Sequence, residues 1–153
     1  MASTILLCTD GSELAIRALQ AGLARLAPAD HYVLAVVLEP VDPTLMTGVS
    51  GMGAGVMSPQ QLEAIDEGQR NDGAAALTDT AHALGLTNVE QRILYGHVGN
   101  ELCALAESIK ADAMVLGTRG HGGLRRAVLG SVSDHIVRNA PCTVVITAEA
   151  AAT

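Results

Sequence analysis

The sequence predicts an α/β protein: a single domain folded as a three-layer α/β/α sandwich around a five-stranded parallel sheet. Three observations carry this. Five short apolar runs alternate with four helical patterns in the order βαβαβαβαβ, which calls for parallel strands joined by right-handed helical crossovers. A length of 153 residues suits one domain whose core needs no disulfide or metal. Apolar residues make up 49% of the chain and the mean hydropathy is +0.33, a composition that folds rather than stays disordered.

The elements follow in order. Ser3–Cys8 is an apolar run that ends in Thr9-Asp10-Gly11-Ser12, a buried strand entering a turn. Ser12 is a natural N-cap with Glu13 in the first helical turn. Leu14, Ala15, Ala18, Leu19, Gly22, Leu23 and Leu26 then share one helical face, and Pro28 ends that helix. Tyr32–Leu38 is nearly all apolar, the pattern of a strand covered on both faces. Glu39–Met57 is rich in Gly, Pro and Met and reads as a long flexible loop able to cover a ligand or a partner. Ser58-Pro59 opens a helix running to about Leu84, with Leu62, Ile65, Ala76, Leu77, Ala81 and Leu84 inward and Gly85 as C-cap. Gly68 and Gly73 weaken its middle. Asn88–Tyr95 is the most polar strand, with Glu90, Gln91 and Arg92, and so an edge. Leu102, Leu105, Ala106 and Ile109 mark a third helix. Ala113–Leu116 is a fourth strand, 117–123 a glycine-dense loop, Ser131–Asn139 a fourth helix and Cys142–Ile146 a fifth strand. The tail, 149–153, reads as disordered.

Several classes of function are disfavoured. With two Tyr, no Trp and no Phe, the core is aliphatic and there is no aromatic platform for stacking bases. A net charge of −7 argues further against nucleic acid or an anionic membrane surface as partner. Cys8, Cys103 and Cys142 form neither a disulfide framework nor a CxxC pair. The N-terminus lacks the basic region of a signal peptide, and no apolar window reaches the roughly 18 residues of a membrane span. A reducing cytoplasm is the expected compartment. The five histidines lack metal-ligand spacing, so no metal site is assigned, and His135 reads as a surface or packing residue.

Open parallel sheets bind ligands beyond the carboxyl ends of their strands, where strand order reverses. The richest such stretch is Gly117-Thr118-Arg119-Gly120-His121-Gly122-Gly123 followed by Gly130-Ser131-Val132-Ser133. Glycines let backbone N–H groups approach an anion, and a helix opening at Gly130-Ser131 offers free N–H groups to phosphate. The Ser131 and Ser133 hydroxyls add donors, and His121 lies within the loop. Between 117 and 138, four arginines (Arg119, Arg125, Arg126 and Arg138) face Asp134 alone, a net +3 that leaves −10 on the rest of the chain. This basic island outlines an anion site. GxxxxGK[ST] is absent, and so is a GxGxxG at a strand-to-helix turn.

At this stretch the chain resembles the universal stress protein family, whose ATP-binding members carry G-x2-G-x9-G-[S/T]. Gly117, Gly120, Gly130 and Ser131 match every position. The resemblance spans residues 1–148, including the Asp10 turn, the second strand and Ala140-Pro141-Cys142. It implies the adenine nucleotide alpha-hydrolase-like fold with strand order 3-2-1-4-5. It implies that Gly117, Gly120, Gly130, Ser131 and their neighbours Arg119, His121, Gly122, Val132 and Ser133 hold the ribose and triphosphate of ATP, with Mg²⁺ as the usual companion of the phosphates. Thr9 and Asp10 match the turn near ribose and phosphate, and Val37 matches the residue whose backbone meets the adenine edge. Thr143 stands where the family often has proline, and the Met-rich loop departs from the family pattern.

The implied function is that of a nucleotide-dependent stress-response sensor or adaptor, read by a protein partner that the sequence does not name. With no Walker lysine, evident general base or acidic pair for two metals, fast phosphoryl transfer is not expected; slow hydrolysis or autophosphorylation stays open. Two alternatives stand beside this reading. One is an adenylating or ATP-pyrophosphate-cleaving enzyme, whose serine- and glycine-rich loop after the first strand Thr9-Asp10-Gly11-Ser12 does not match. The other is a nucleotide-free interaction module, against which the intact motif argues. The last strand has no guarding charge or internal proline, and many relatives dimerise through it, so a homodimer joined through residues 142–147 is expected.

Overall fold

The apolar runs form the strands, and the amphipathic segments the helices, of a computed structural model that describes residues 2–41, 56–118 and 129–148. The elements are β1 (Thr4–Cys8), α1 (Glu13–Leu23), β2 (His31–Leu38), α2 (Pro59–Ala83), β3 (Val89–Tyr95), α3 (Val98–Ser108), β4 (Ala113–Gly117), α4 (Ser131–Asn139) and β5 (Thr143–Thr147). Most of the Gly/Met-rich loop (42–55), the segment 119–128 and the tail 149–153 lie outside the described residues.

All strand pairs are parallel and the order is β3-β2-β1-β4-β5, as the resemblance implies. Helices α1 and α2 cover one face, where Leu19, Leu77 and Ala81 pack with Ile5, Leu7, Leu34, Val36 and Val115. Helices α3 and α4 cover the other, where Leu102, Leu105 and Ile136 pack with Leu6, Val33, Ala35, Met114 and Leu116. Both crossovers that step from β1 out to β3 use the first face; both that lead to β4 and β5 use the second. Equal handedness requires this: when the direction of travel reverses, the helix must change faces. The reversal falls between β1 and β4.

Local rules account for the helix ends. Ser58 and Gln61 make a reciprocal capping box, with Pro59 at the first position. At the other end Leu84 is the cap and Gly85 (φ +66) follows it, donating to His82 C=O, while Leu86 N–H reaches Ala81 C=O, a Schellman arrangement. The same pattern closes α3 with Lys110 (φ 52) in the position glycine usually takes. Helix α1 stops at Leu23, short of the expected Pro28, because Arg25 and Leu26 tighten into i→i−3 bonds on Gly22 and Leu23. β3 pairs only with β2 and exposes Glu90, Gln91 and Arg92, the edge expected of it.

Two helical glycines mark close approaches to the sheet. Gly73 is not simply a weak point in α2: it is buried, and a Cβ there would come to 3.2 Å from Leu38 Cδ2. At Gly22 a Cβ would lie 2.4 Å from Cγ1 of the buried, β-branched Val115. Helix propensity alone favours Gly22→Ala by about 1 kcal/mol. Overpacking a filled core costs about 1–3 kcal/mol, so the variant should be the less stable protein. A urea midpoint equal to or above that of the wild type would contradict this packing.

Candidate functional site

At the point of reversal the chain leaves β1 toward one face and β4 toward the other, so a crevice opens at their carboxyl ends. Three sequence-predicted segments border it: Thr9-Asp10-Gly11-Ser12 after β1, the end of β2 at Val37, and Gly117-Thr118 with Gly130-Ser131 around β4 and α4.

The turn after β1 is held from within. Thr9 N–H extends the sheet by one bond to Ala35 C=O (3.0 Å). Its hydroxyl accepts from Gly11 N–H at 3.0 Å, and Asp10 Oδ1 accepts from Ser12 N–H at 2.9 Å. Gly11 takes φ +79, a conformation that glycine adopts at no steric cost. Ser12 Oγ then caps α1 by accepting from Ala15 N–H (3.1 Å). The half-buried Asp10 is thus fixed by its own turn.

Val37 enters the site through backbone alone. In a strand, successive residues direct their N–H and C=O to opposite edges. Ala35 C=O faces β1, and Leu38 C=O faces the other way, accepting from Gly96 N–H at 3.0 Å. The backbone of Val37 therefore faces the β1 side, past the last bond β1 makes. Its side chain packs among the α3/α4 core residues.

On the far side, Thr118 N–H bonds Thr147 C=O (3.2 Å), and Thr118 C=O accepts from Gly130 N–H (3.1 Å). This bond draws together the two flanks of 119–128. Gly130 is the N-cap of α4, with φ −62, so no unusual backbone conformation demands glycine there. The constraint is space: a Cβ would sit 3.0 Å from Thr118 O. A glycine cap supplies no side-chain acceptor, and the helix's own bonds begin with Asp134 N–H to Gly130 C=O (2.9 Å). The N–H groups of Ser131, Val132 and Ser133 have no intrahelical acceptor, and the helix dipole adds roughly half a positive charge to them. This end of α4 suits an anion.

The two serines differ. Ser131 is exposed and its hydroxyl is available to a ligand. Ser133 is buried and donates its hydroxyl to Gly117 C=O at 3.0 Å. Its proton fastens α4 to β4, so Ser133 has only its backbone N–H left to give, not the hydroxyl donor the sequence suggested. Arg119, Gly120, His121 and Gly122 lie outside the described residues. Thr80 was missed as a supporting residue. Thr80 left one trace in the sequence, a polar residue amid the inward face Ala76, Leu77 and Ala81.

Other candidates are structural. His135 packs on Gly99 and tilts against His97, ring centroids 5.5 Å apart. Burial pushes the Cys8 thiol well above its ordinary range and raises Cys103 and Cys142 as well, which leaves these thiols protonated and weak nucleophiles. Cys142 is half-buried and precedes β5 rather than opening it. Among the described residues, no group of three or more His, Cys, Asp or Glu could hold a metal ion.

The sequence model of the universal stress protein family matches residues 1–148. A universal stress protein of Methanocaldococcus jannaschii is 30% identical over 145 residues, covering 93% of this chain and 79% of that protein. A crystal structure of a universal stress protein in complex with cAMP superposes with a TM-score of 0.53 at 23% identity, covering 97% of this chain and 98% of the other. A universal stress protein family member from Arabidopsis thaliana with AMP bound superposes at 0.60 and 16% identity, covering 97% and 93%. At these identities the structural likeness carries the fold.

The Ser133 fastener is testable without any ligand. Ser133→Ala should cost about 1–2 kcal/mol, because it strands a part-buried carbonyl. Chemical denaturation measures this, and unchanged stability would show that the bond holds nothing.

Proposed function

The chain belongs to the universal stress protein family, and we propose that it binds ATP in the β1/β4 crevice and works in the cytoplasm as a nucleotide-dependent stress-response sensor or adaptor. The observation that carries this reading is the start of α4, where a glycine N-cap leaves three backbone N–H groups without intrahelical acceptors at a strand-order reversal. The relatives with AMP and cAMP support adenine nucleotide as the ligand class. Among the described residues no helix is long and apolar enough to cross a membrane.

In this reading each group has one task. Ser131 Oγ and the N–H groups of residues 131–133 receive phosphate oxygens, together with the glycine backbone at Gly117 and Gly120. The Val37 backbone meets the adenine edge, and Asp10 lies by the ribose and phosphates. Arg119, with His121 and Gly122 beside it, adds charge-assisted contacts to the phosphates. Mg²⁺ is held chiefly by phosphate oxygens and water, as is usual for this ion. The partner that reads the bound state is a protein whose identity is open.

Mass spectrometry of the purified protein should detect retained adenine nucleotide, and calorimetry should detect ATP binding. Gly130→Val should abolish binding in a folded protein, because the added bulk meets Thr118 O and forces the two flanks of the loop apart. Arg119→Ala should weaken ATP more than adenosine, by roughly 1–3 kcal/mol. Wild-type affinity in folded Gly130→Val would refute the site. Equal weakening of both ligands by Arg119→Ala would remove that residue from the phosphates.

We further propose a homodimer through residues 142–147. β5 is an edge of the sheet, paired only with β4. Thr147 C=O is bonded to Thr118 N–H on the β4 side, so Thr143, Val145 and Thr147 face β4 and the backbones of Val144 and Ile146 face outward. Two copies pairing antiparallel across a twofold axis would satisfy both edges. Val145 is the wrong place for a probe, since its side chain lies over α1 near Gly22. Val144→Pro removes an outward N–H and spares the β4 ladder, so it should give a folded monomer. Light scattering that shows a wild-type monomer at micromolar concentration, or an undisturbed Val144→Pro dimer, would refute the dimer.

A further inference from the structure

Thr80 is fully buried near the end of α2, and its hydroxyl lies 3.3 Å from that of Thr9, 71 residues away in sequence. Thr9 Oγ1 is the atom that accepts Gly11 N–H, and Gly11 sits between Asp10 and the Ser12 N–H that Asp10 holds. The helix touches this turn a second time one turn earlier. A Cβ on Gly11 would fall 2.6 Å from Ala76 Cβ, so the turn rests directly on α2. Ala76 and Thr80 are i and i+4 on one helical face. An apolar residue of the same shape would fill this position without a polar group to desolvate, so the hydroxyl has a cost that its bond to Thr9 must offset.

We propose that Thr80 is a positioning residue of the nucleotide site: by holding the Thr9 hydroxyl, it fixes the turn that presents Asp10 and makes α2 the brace of the crevice. This rests on the nucleotide-binding reading above. The logic is serial. Thr80 sets the Thr9 hydroxyl, that hydroxyl sets the Gly11 amide, and the turn sets the Asp10 carboxylate. The Thr9–Thr80 bond is buried, and low-dielectric surroundings strengthen it and make its loss expensive. Thr80 touches no ligand, so its effect must pass through the turn.

The test uses the full-length chain with ATP as probe. Thr80→Val should bind ATP at least fivefold more weakly than wild type, and Thr80→Ser, which keeps the hydroxyl, should stay within twofold. The losses in Thr9→Val and in Thr9→Val/Thr80→Val should coincide, because both variants remove one linkage. Hydrogen exchange at the Gly11 and Ser12 amides should quicken in Thr80→Val and not in Thr80→Ser. Wild-type ATP affinity in Thr80→Val with unchanged exchange at 11–12 overturns the role of Thr80 alone. A wild-type chain that binds no ATP overturns the nucleotide reading instead. Should Thr80→Val fail to fold, the wild type decides: ATP must slow exchange across 76–83 as well as 9–12, and protection of 9–12 alone overturns the proposal.

Discussion

The handedness of the crossovers is the constraint from which the rest of this molecule follows. Every strand-to-strand connection of a parallel sheet turns the same way, so a chain that reverses its direction across the sheet must also change faces. Here the reversal separates β1 from β4, which are neighbours in the sheet but carry helices on opposite faces. The described chain does not bridge the ends of this pair. Their terminal backbone groups, the extra length of β2 at Val37 and the opening turn of α4 therefore border one crevice.

Within that crevice the side chains and the backbone divide the work. The Thr9 and Ser133 hydroxyls and one Asp10 oxygen are spent inside the protein, on Gly11, Gly117 and Ser12. Among the described residues, the groups left over are the Ser131 hydroxyl, the second Asp10 oxygen, the N–H donors at the start of α4 and the backbone of Val37. A frame that spends most of its polar side chains internally and offers amides outward suits a ligand rich in anionic oxygens, because amides carry directed partial charge without needing counter-ions.

Glycines show where reading a sequence runs short. Gly85 was legible as a helix stop because its role is local and conformational. Gly22 read as one more residue of the inward face of α1 and Gly73 only as a weak point in α2, yet each is where a helix lies against Val115 or Leu38, residues distant in sequence. Gly130 was legible as part of a spaced motif, but the reason for it was not. Its φ of −62 is open to any residue, and what excludes a side chain is the carbonyl of Thr118, twelve positions earlier. The inward turn of Ser133 belongs to the same class: it depends on the Gly117 carbonyl, a neighbour that periodicity does not reveal.

The sequence by itself determined the element order, the caps at Ser12 and Ser58, the polar edge strand and the glycine spacing from Gly117 to Ser131. These are properties of local propensity and period, which a chain carries before it folds. Strand order came only from resemblance, and the tertiary structure decided it, along with which hydroxyls are spent and which amides stay free. The pairing of Thr9 with Thr80 is the clearest case. Two threonines 71 residues apart become partners only after α2 has crossed the sheet, and no pattern within either segment encodes the meeting.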